Sequence, residues 1–262
     1  MKKRPSPPPR SLSFEPLEPR LPLAGNVAIA VSGGNLKITG DGGDNNVSIV
    51  QTAPGNFTIT GGDGEIFRLK GRAASEDPVN VTGVIKNITI NLKGGADVVE
   101  IEGLGADVAL CQKLTINTGA GDDDVKLFTA KITGNLSINM GNATVMRYRD
   151  YGYTYTIRGT DGVTIDSVNV VGKATLKTGT GDDFVMVSDF NAKAVNVAMG
   201  AGDDSVSLDG PVKVTAKSTV KGGAGLNSFD NPENLAAESV ALVKLSGFDP
   251  PDEDEDEGEF EF

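Results

Sequence analysis

The chain has 262 residues and a formal net charge of −12, with 34 glycines and neither histidine nor tryptophan. The acidity argues against nucleic acid as a partner, and the single cysteine, Cys111, excludes an intrachain disulfide. No apolar run reaches the roughly 18 residues of a membrane helix, so no membrane span is expected.

Residues 1–24 are rich in Pro and Arg and read as a disordered segment. Pro7 to Pro9 stand where an ordinary signal peptide would carry its apolar stretch. From Asn26, short alternating runs separated by turn residues (Gly33-Gly34, then GGDGE) predict hairpin-like strands over 25–83. This region is expected to cap a regular body, because the first layer of a stack otherwise exposes an unpaired edge.

The body, 84–248, repeats one pattern: an apolar strand, a Gly-x-Gly-Asp-Asp bend, and another apolar strand. It stands as GAGDDDVKL at 119–127, GTGDDFVMV at 179–187 and GAGDDSVSL at 200–208, with decayed copies GGADVVEI at 94–101 and GGAGLNSFD at 222–230. Ile88, Ile90 and Leu92 alternate with polar residues, as do Leu114 and Ile116, Leu136 and Ile138, and Val195 and Val197. Period two means a strand with one face inward. The copies lie too close together for crossover helices. The expected fold is therefore all-β, a parallel β-helix or β-roll solenoid, with an antiparallel sandwich or meander as the rival.

One interval breaks the period. Between Gly141 and Gly179 there is room for nearly two coils, and the segment RYRDYGYTYTIRG holds all four tyrosines. GTDG at 159–162 reads as a remnant of the missing bend. Arg147, Tyr148, Arg149, Tyr151, Tyr153 and Tyr155 are the candidate contact residues. Three readings stay open: cross-strand packing, a loop that contacts sugar rings or a partner surface, and catalysis on acidic polysaccharide. After Gly222, Asn231-Pro232-Glu233 predicts a short helical turn and Ser239–Leu245 a last strand. The end, 249–262, carries nine carboxylates and no base, and reads as a disordered tail.

The Gly-Asp-Asp bends offer carboxylates and glycine carbonyls, the hard oxygens that Ca²⁺ prefers. With coils stacked about 4.8 Å apart, Asp183 is expected over Asp204, with Asp182 and Asp203 beside them, and Asp97 over Asp123, with Asp122 completing the set. Like charges at that spacing repel, and a cation between coils removes the repulsion. The competing reading is turn chemistry alone, with each Asp bonding local backbone N–H groups. A catalytic carboxylate is the third.

GAGDDSVSL resembles the RTX (haemolysin-type) calcium-binding nonapeptide, GGxGxDxUx. Its Asp falls on Asp97, Asp123, Asp183 and Asp204, and its aliphatic position on Val99, Val125, Val185 and Val206. The resemblance implies a Ca²⁺-bearing parallel β-roll in an exported protein. Thr118, Thr178 and Met199 replace the first glycine, and Asn45 and Asn227 replace the Asp in the outer copies. With one motif per coil, ions are expected along one edge only. A second resemblance lies in SFEPLEPRLPLAG, 13–25, which is similar to the LEPR-XLL segment of planctomycete surface and secreted proteins. It implies extracellular or cell-envelope sorting. The expected function is a non-enzymatic, exported, calcium-binding surface, matrix or adhesion module whose partner is a polysaccharide or another surface protein. The rivals are a carbohydrate-active β-helix lyase or hydrolase and a decayed spacer.

Overall fold

The computed structural model describes residues 25–62, 64–105, 107–150 and 153–249, with the side chains of 145–157 outside that description. The LEPR-like segment and the tail beyond Asp249 also fall outside it.

The chain winds as a parallel β-solenoid. At its start, β1 (Asn26–Ser32), β2 (Asn35–Thr39), β3 (Asn46–Ala53), β4 (Asn56–Thr60), β5 (Ile66–Leu69) and β6 (Val79–Val81) form the first coil and its cap. Here β1 folds back on β2 and β4 on β3 as antiparallel hairpins, and β5 and β6 lie outermost. β7 (Asn87–Asn91), β8 (Val98–Glu102) and β9 (Ala109–Cys111) make the next coil, and β10 (Lys113–Ala120), β11 (Asp124–Phe128) and β12 (Lys131–Ile132) the one after. β13 (Leu136–Asn142) follows, then the hairpin β14 (Val145–Asp150) and β15 (Tyr153–Arg158), then β16 (Gly162–Asp166). β17 (Asn169–Thr180), β18 (Phe184–Ser188), β19 (Phe190–Ala201), β20 (Ser205–Leu208), β21 (Val212–Val214), β22 (Ser218–Ala224), β23 (Ser228–Asp230) and β24 (Val243–Ser246) complete the body.

These strands stack into two large sheets. The first has thirteen strands, ordered β24-β22-β19-β17-β13-β10-β7-β2-β1-β5, with β9, β12 and β21 joining as a short third row. The second runs β23-β20-β18-β16-β11-β8-β3-β4-β6. The coil-to-coil register starts from β2 and β3, which pair in parallel with β7 and β8, and β1 also pairs in parallel with β5. β17 and β19 each turn a corner within one strand, and their register shifts or jumps there.

The register explains the alternation. Ile38, Ile90, Ile116, Ile138, Leu176, Val197 and Val220 form one inward column of the first sheet. Val47, Val99, Val125, Val163, Val185 and Val206 form the facing column of the second. All are buried. Branched side chains of similar size stack at the coil repeat, and each contributes about 1.5–3 kcal/mol by leaving water. On the outer face of the first sheet, Thr89, Thr115, Ser137 and Thr175 line up beside Asn91, Asn117 and Asn139.

Two local expectations are corrected. The long interval after Gly141 holds one coil, not nearly two. The surplus is the β14–β15 hairpin, a separate two-stranded sheet projecting from the corner between β13 and β16. The expected strand Ser239–Leu245 is shortened to β24, and Ala237–Val240 is a single helical turn. Its cause is Ser239, whose buried hydroxyl accepts from the Val214 N–H (2.9 Å) and donates to the Val214 carbonyl (3.1 Å). That bond closes the end of the third row. The predicted turn at Pro232–Asn234 is present as a 3-10 helix.

Candidate functional site: the aspartate ladder

The Gly-x-Gly-Asp-Asp bends sit at the corner between the two sheets. The glycine column Gly119, Gly141, Gly179, Gly200 and Gly223 holds φ between +98° and +124°, a region that L side chains rarely adopt. The bend turns the backbone N–H groups away from the strand ladder, so they need other acceptors. The second Asp of each motif supplies one.

The second aspartates form a single buried row, Asp97, Asp123, Asp161, Asp183 and Asp204, ended by Asn45 and Asn227. Each side chain accepts the backbone N–H of its counterpart one coil earlier. Asn45 N donates to Asp97 Oδ1 (2.8 Å), Asp97 N to Asp123 (2.8 Å), Asp123 N to Asp161 (2.9 Å), Asp161 N to Asp183 (2.8 Å) and Asp183 N to Asp204 (2.9 Å). Asp204 N then donates to Asn227 Oδ1 (2.9 Å), and Asn227 N to Asp249 Oδ2 (2.7 Å). On the cap side, buried Glu65 accepts from Asn46 N (3.1 Å).

The first aspartates work in the opposite direction. Asp122 Oδ1 accepts from Thr144 N (2.8 Å), Asp182 from Asp203 N (2.9 Å) and Asp203 from Leu226 N (2.9 Å), each one coil later. Asp44 does the same for Ala96 N (2.8 Å). So the two carboxylates of a motif tie its coil to both neighbours. The turn reading is thereby changed: these bonds cross between coils and are not local.

All seven proposed metal residues lie on this one corner, Asp97, Asp123, Asp183 and Asp204 in the buried row and Asp122, Asp182 and Asp203 in the outer one. Five members of the buried row keep one oxygen, Oδ2, without any hydrogen-bond partner: Asp97, Asp123, Asp161, Asp183 and Asp204. Asn227 indicates what that position faces. Its Oδ1 takes the ladder bond, and its Nδ2 donates to the carbonyls of Gly225 (3.3 Å) and Gly247 (2.9 Å). In an Asp coil the equivalent position carries an oxygen in place of that amide donor, and the register puts Gly222, Met199, Thr178, Met140 or Thr118 where Gly247 stands. Oxygen facing oxygen calls for a proton or a cation between them.

The carboxyl groups respond accordingly. Burial, together with neighbouring row charges, pushes Asp97 up to about 7, Asp161 up to about 8 and Asp204 up to about 6. Burial raises Asp123 and Asp183 as well. The hydroxyls of Thr118 and Thr178, beside these two carboxyl groups, lower them in part. Each hydroxyl has one proton, and it goes to the carbonyl of Met140 (2.9 Å) or Met199 (2.6 Å). Burial also lifts Glu65 to about 7.

Sequence reasoning places Asn45 at the motif's Asp position and Asp161 in a remnant bend, but assigns no site role to Asp161, Asn45 or Arg158. Arg158, at the foot of the hairpin, reaches the outer row at Asp182 (3.3 Å) and Asp203 (3.8 Å). All three groups are largely exposed, so Arg158→Ala is expected to cost no more than about 1 kcal/mol in urea unfolding. The hairpin register pairs Tyr148 with Tyr155, Arg147 with Thr156, Arg149 with Thr154 and Asp150 with Tyr153. Tyr151 lies outside the described residues, as do the side chains of Arg147, Tyr148, Arg149, Tyr153 and Tyr155.

Among the described residues, no group of three or more carboxylate or thiol side chains stands close enough together to hold a metal ion. A groove of about 950 Å³ opens where the ladder ends, lined by Asp203, Asp204, Asp230 and Asp249 with Leu226 and Phe248, and no basic residue lines it. No helix among the described residues is long and apolar enough to cross a membrane. Comparison with family models, curated proteins and solved structures found no match.

Proposed function

We propose that the chain is a non-enzymatic, exported surface or matrix module, a β-solenoid whose acidic corner is stabilised by Ca²⁺. The observation that carries this reading is the row of five buried Oδ2 atoms without partners. Each stands where Asn227 carries an amide that donates to backbone carbonyls. Carboxylate and carbonyl oxygens suit a hard divalent cation. Asp97, Asp123, Asp161, Asp183 and Asp204 would hold it, with the bend glycines supplying carbonyls. Bound there, the ion would neutralise the row and join adjacent coils. The export part of the reading rests on the LEPR-like segment, Leu17 to Leu23, and on the RTX-like repeat.

The test is a calcium titration of the chelator-treated protein, read by melting temperature. A ligand that binds the folded state alone adds about 2.7 kcal/mol at a hundred times its dissociation constant, so a rise of several degrees that continues with the logarithm of free Ca²⁺ is expected. An unchanged melting temperature up to millimolar free Ca²⁺ overturns the reading.

A further inference from the structure

The molecule is acidic, yet its charges are sorted by face. None of the thirteen strands of the first sheet contains Asp or Glu, while they carry nine lysines and Arg68. The second sheet has the opposite balance, with Glu100, Glu102, Asp124, Asp166 and Asp230 against Lys126 alone. Six lysines stand exposed on the outer face of the main ladder: Lys37, Lys113, Lys173, Lys177, Lys221 and Lys244. None of the six forms an ion pair with a described carboxylate, in contrast to Lys126 and Lys213, which do. The register sets them among the Thr and Asn columns of the same face.

We infer that this face is a binding surface for an anionic polysaccharide chain laid across the coils. The inference deepens the module reading by naming its partner class and surface, and rests on it only for the protein's setting. From β2 to β24 the face spans seven coil steps, roughly 34 Å, with cations spread along that length. Hydroxyl and amide groups between them can donate to and accept from sugar hydroxyls at every coil. Attraction is local: a carboxylate- or sulfate-bearing chain meets ammonium groups and no fixed anion on that sheet.

Nucleic acid fits less well. A duplex carries one charge per about 1.7 Å, far denser than these lysines. Single strands are held by stacking on aromatic side chains, and the outward positions of the main ladder offer none. The aromatic residues of that ladder, Phe67 and Phe190, point inward and are buried.

The experiment measures binding of the full chain to dextran sulfate, neutral dextran and single-stranded DNA at low salt, in buffer with and without calcium. Dextran sulfate is expected to bind, to be displaced by salt, and to be preferred over both other probes. The variant Lys173→Gln/Lys177→Gln/Lys221→Gln is expected to bind it at least tenfold more weakly with an unchanged melting temperature. The equal charge change off this face, Lys126→Gln/Lys131→Gln/Lys213→Gln, should leave binding within about twofold, a contrast that net charge alone would not produce. Equal losses in both variants, stronger binding of DNA, or no binding by the unaltered protein would each overturn the inference. So would binding seen only after Glu253, Asp254, Glu255 and Asp256 are changed to their amides, which would make the acidic tail the occupant. A flat calcium titration of melting temperature would sink the cation reading while leaving this result standing.

Discussion

Gly179→Ala is expected to leave little or no folded protein. The residue sits in the middle of the bend column with φ at +111°, and a Cβ there would be driven into the carbonyl oxygen of Gly141 on the coil before. Two costs add: a backbone conformation that alanine avoids, and a clash with main chain that cannot swing aside. Relief would require the coils to part, which breaks the strand ladder on both sides of the corner. The expected loss exceeds about 4 kcal/mol, comparable with the whole stability of many domains. Gly42→Ala is the matched control. Gly42 has open space where its Cβ would go and no left-handed φ, so the free energy of unfolding in urea should change by no more than about 0.5 kcal/mol. A Gly179→Ala protein that melts like its parent would mean that the coils are not in the close register described.

The same column separates what the sequence made legible from what it did not. Ile88 and Ile90, or Val125 and Leu127, announce strands because their burial alternates in one continuous segment. Their stacking into parallel sheets follows from the spacing of the bends. Asp161 was legible only in part. Its bend is split by the β14–β15 hairpin, so twenty residues separate Gly141 from its aspartate. A usable signal was there: Asp161 is followed by Val163 and Ile165 in the alternation that follows Asp183. The division of labour between adjacent aspartates was not legible. It depends on which coil lies above and which below, a relation between residues about 22 apart. The sorting of charge between sheets was hidden for a similar reason. Within each coil the chain passes from one sheet to the other, so lysine-bearing and acidic strands are interspersed along the chain and average out in any local window.

Asp161→Asn and Asp161→Ala should move stability in opposite directions when calcium is chelated at pH 8. Both remove a buried charge flanked by Asp123 and Asp183. The amide keeps the oxygen that accepts the Asp123 N–H, and its nitrogen can donate to bend carbonyls as Asn227 does. Alanine strands that N–H inside the corner, at a cost of about 1–3 kcal/mol. The pH dependence of the unaltered protein has a definite sign. In the unfolded chain these aspartates lose their protons near 3.8, whereas in the fold Asp204, Asp97 and Asp161 hold theirs to about 6, 7 and 8. Between those limits the folded state binds more protons, so stability is full below about pH 4 and is lost as pH rises toward 8. The opposite contribution of Asp41, whose carboxyl is held below 3.8 chiefly by the Gly43 N–H, lies outside that window. In chelator, the melting temperature should therefore be higher at pH 5 than at pH 8, and Asp161→Asn should shrink the difference. Calcium binds the ionised row and competes with its protons, so its stabilisation should grow with pH and close the same gap. A melting temperature that climbs from pH 5 to pH 8 in chelator would show that the row is ionised and satisfied without proton or metal, and both roles assigned to the orphaned oxygens would fall.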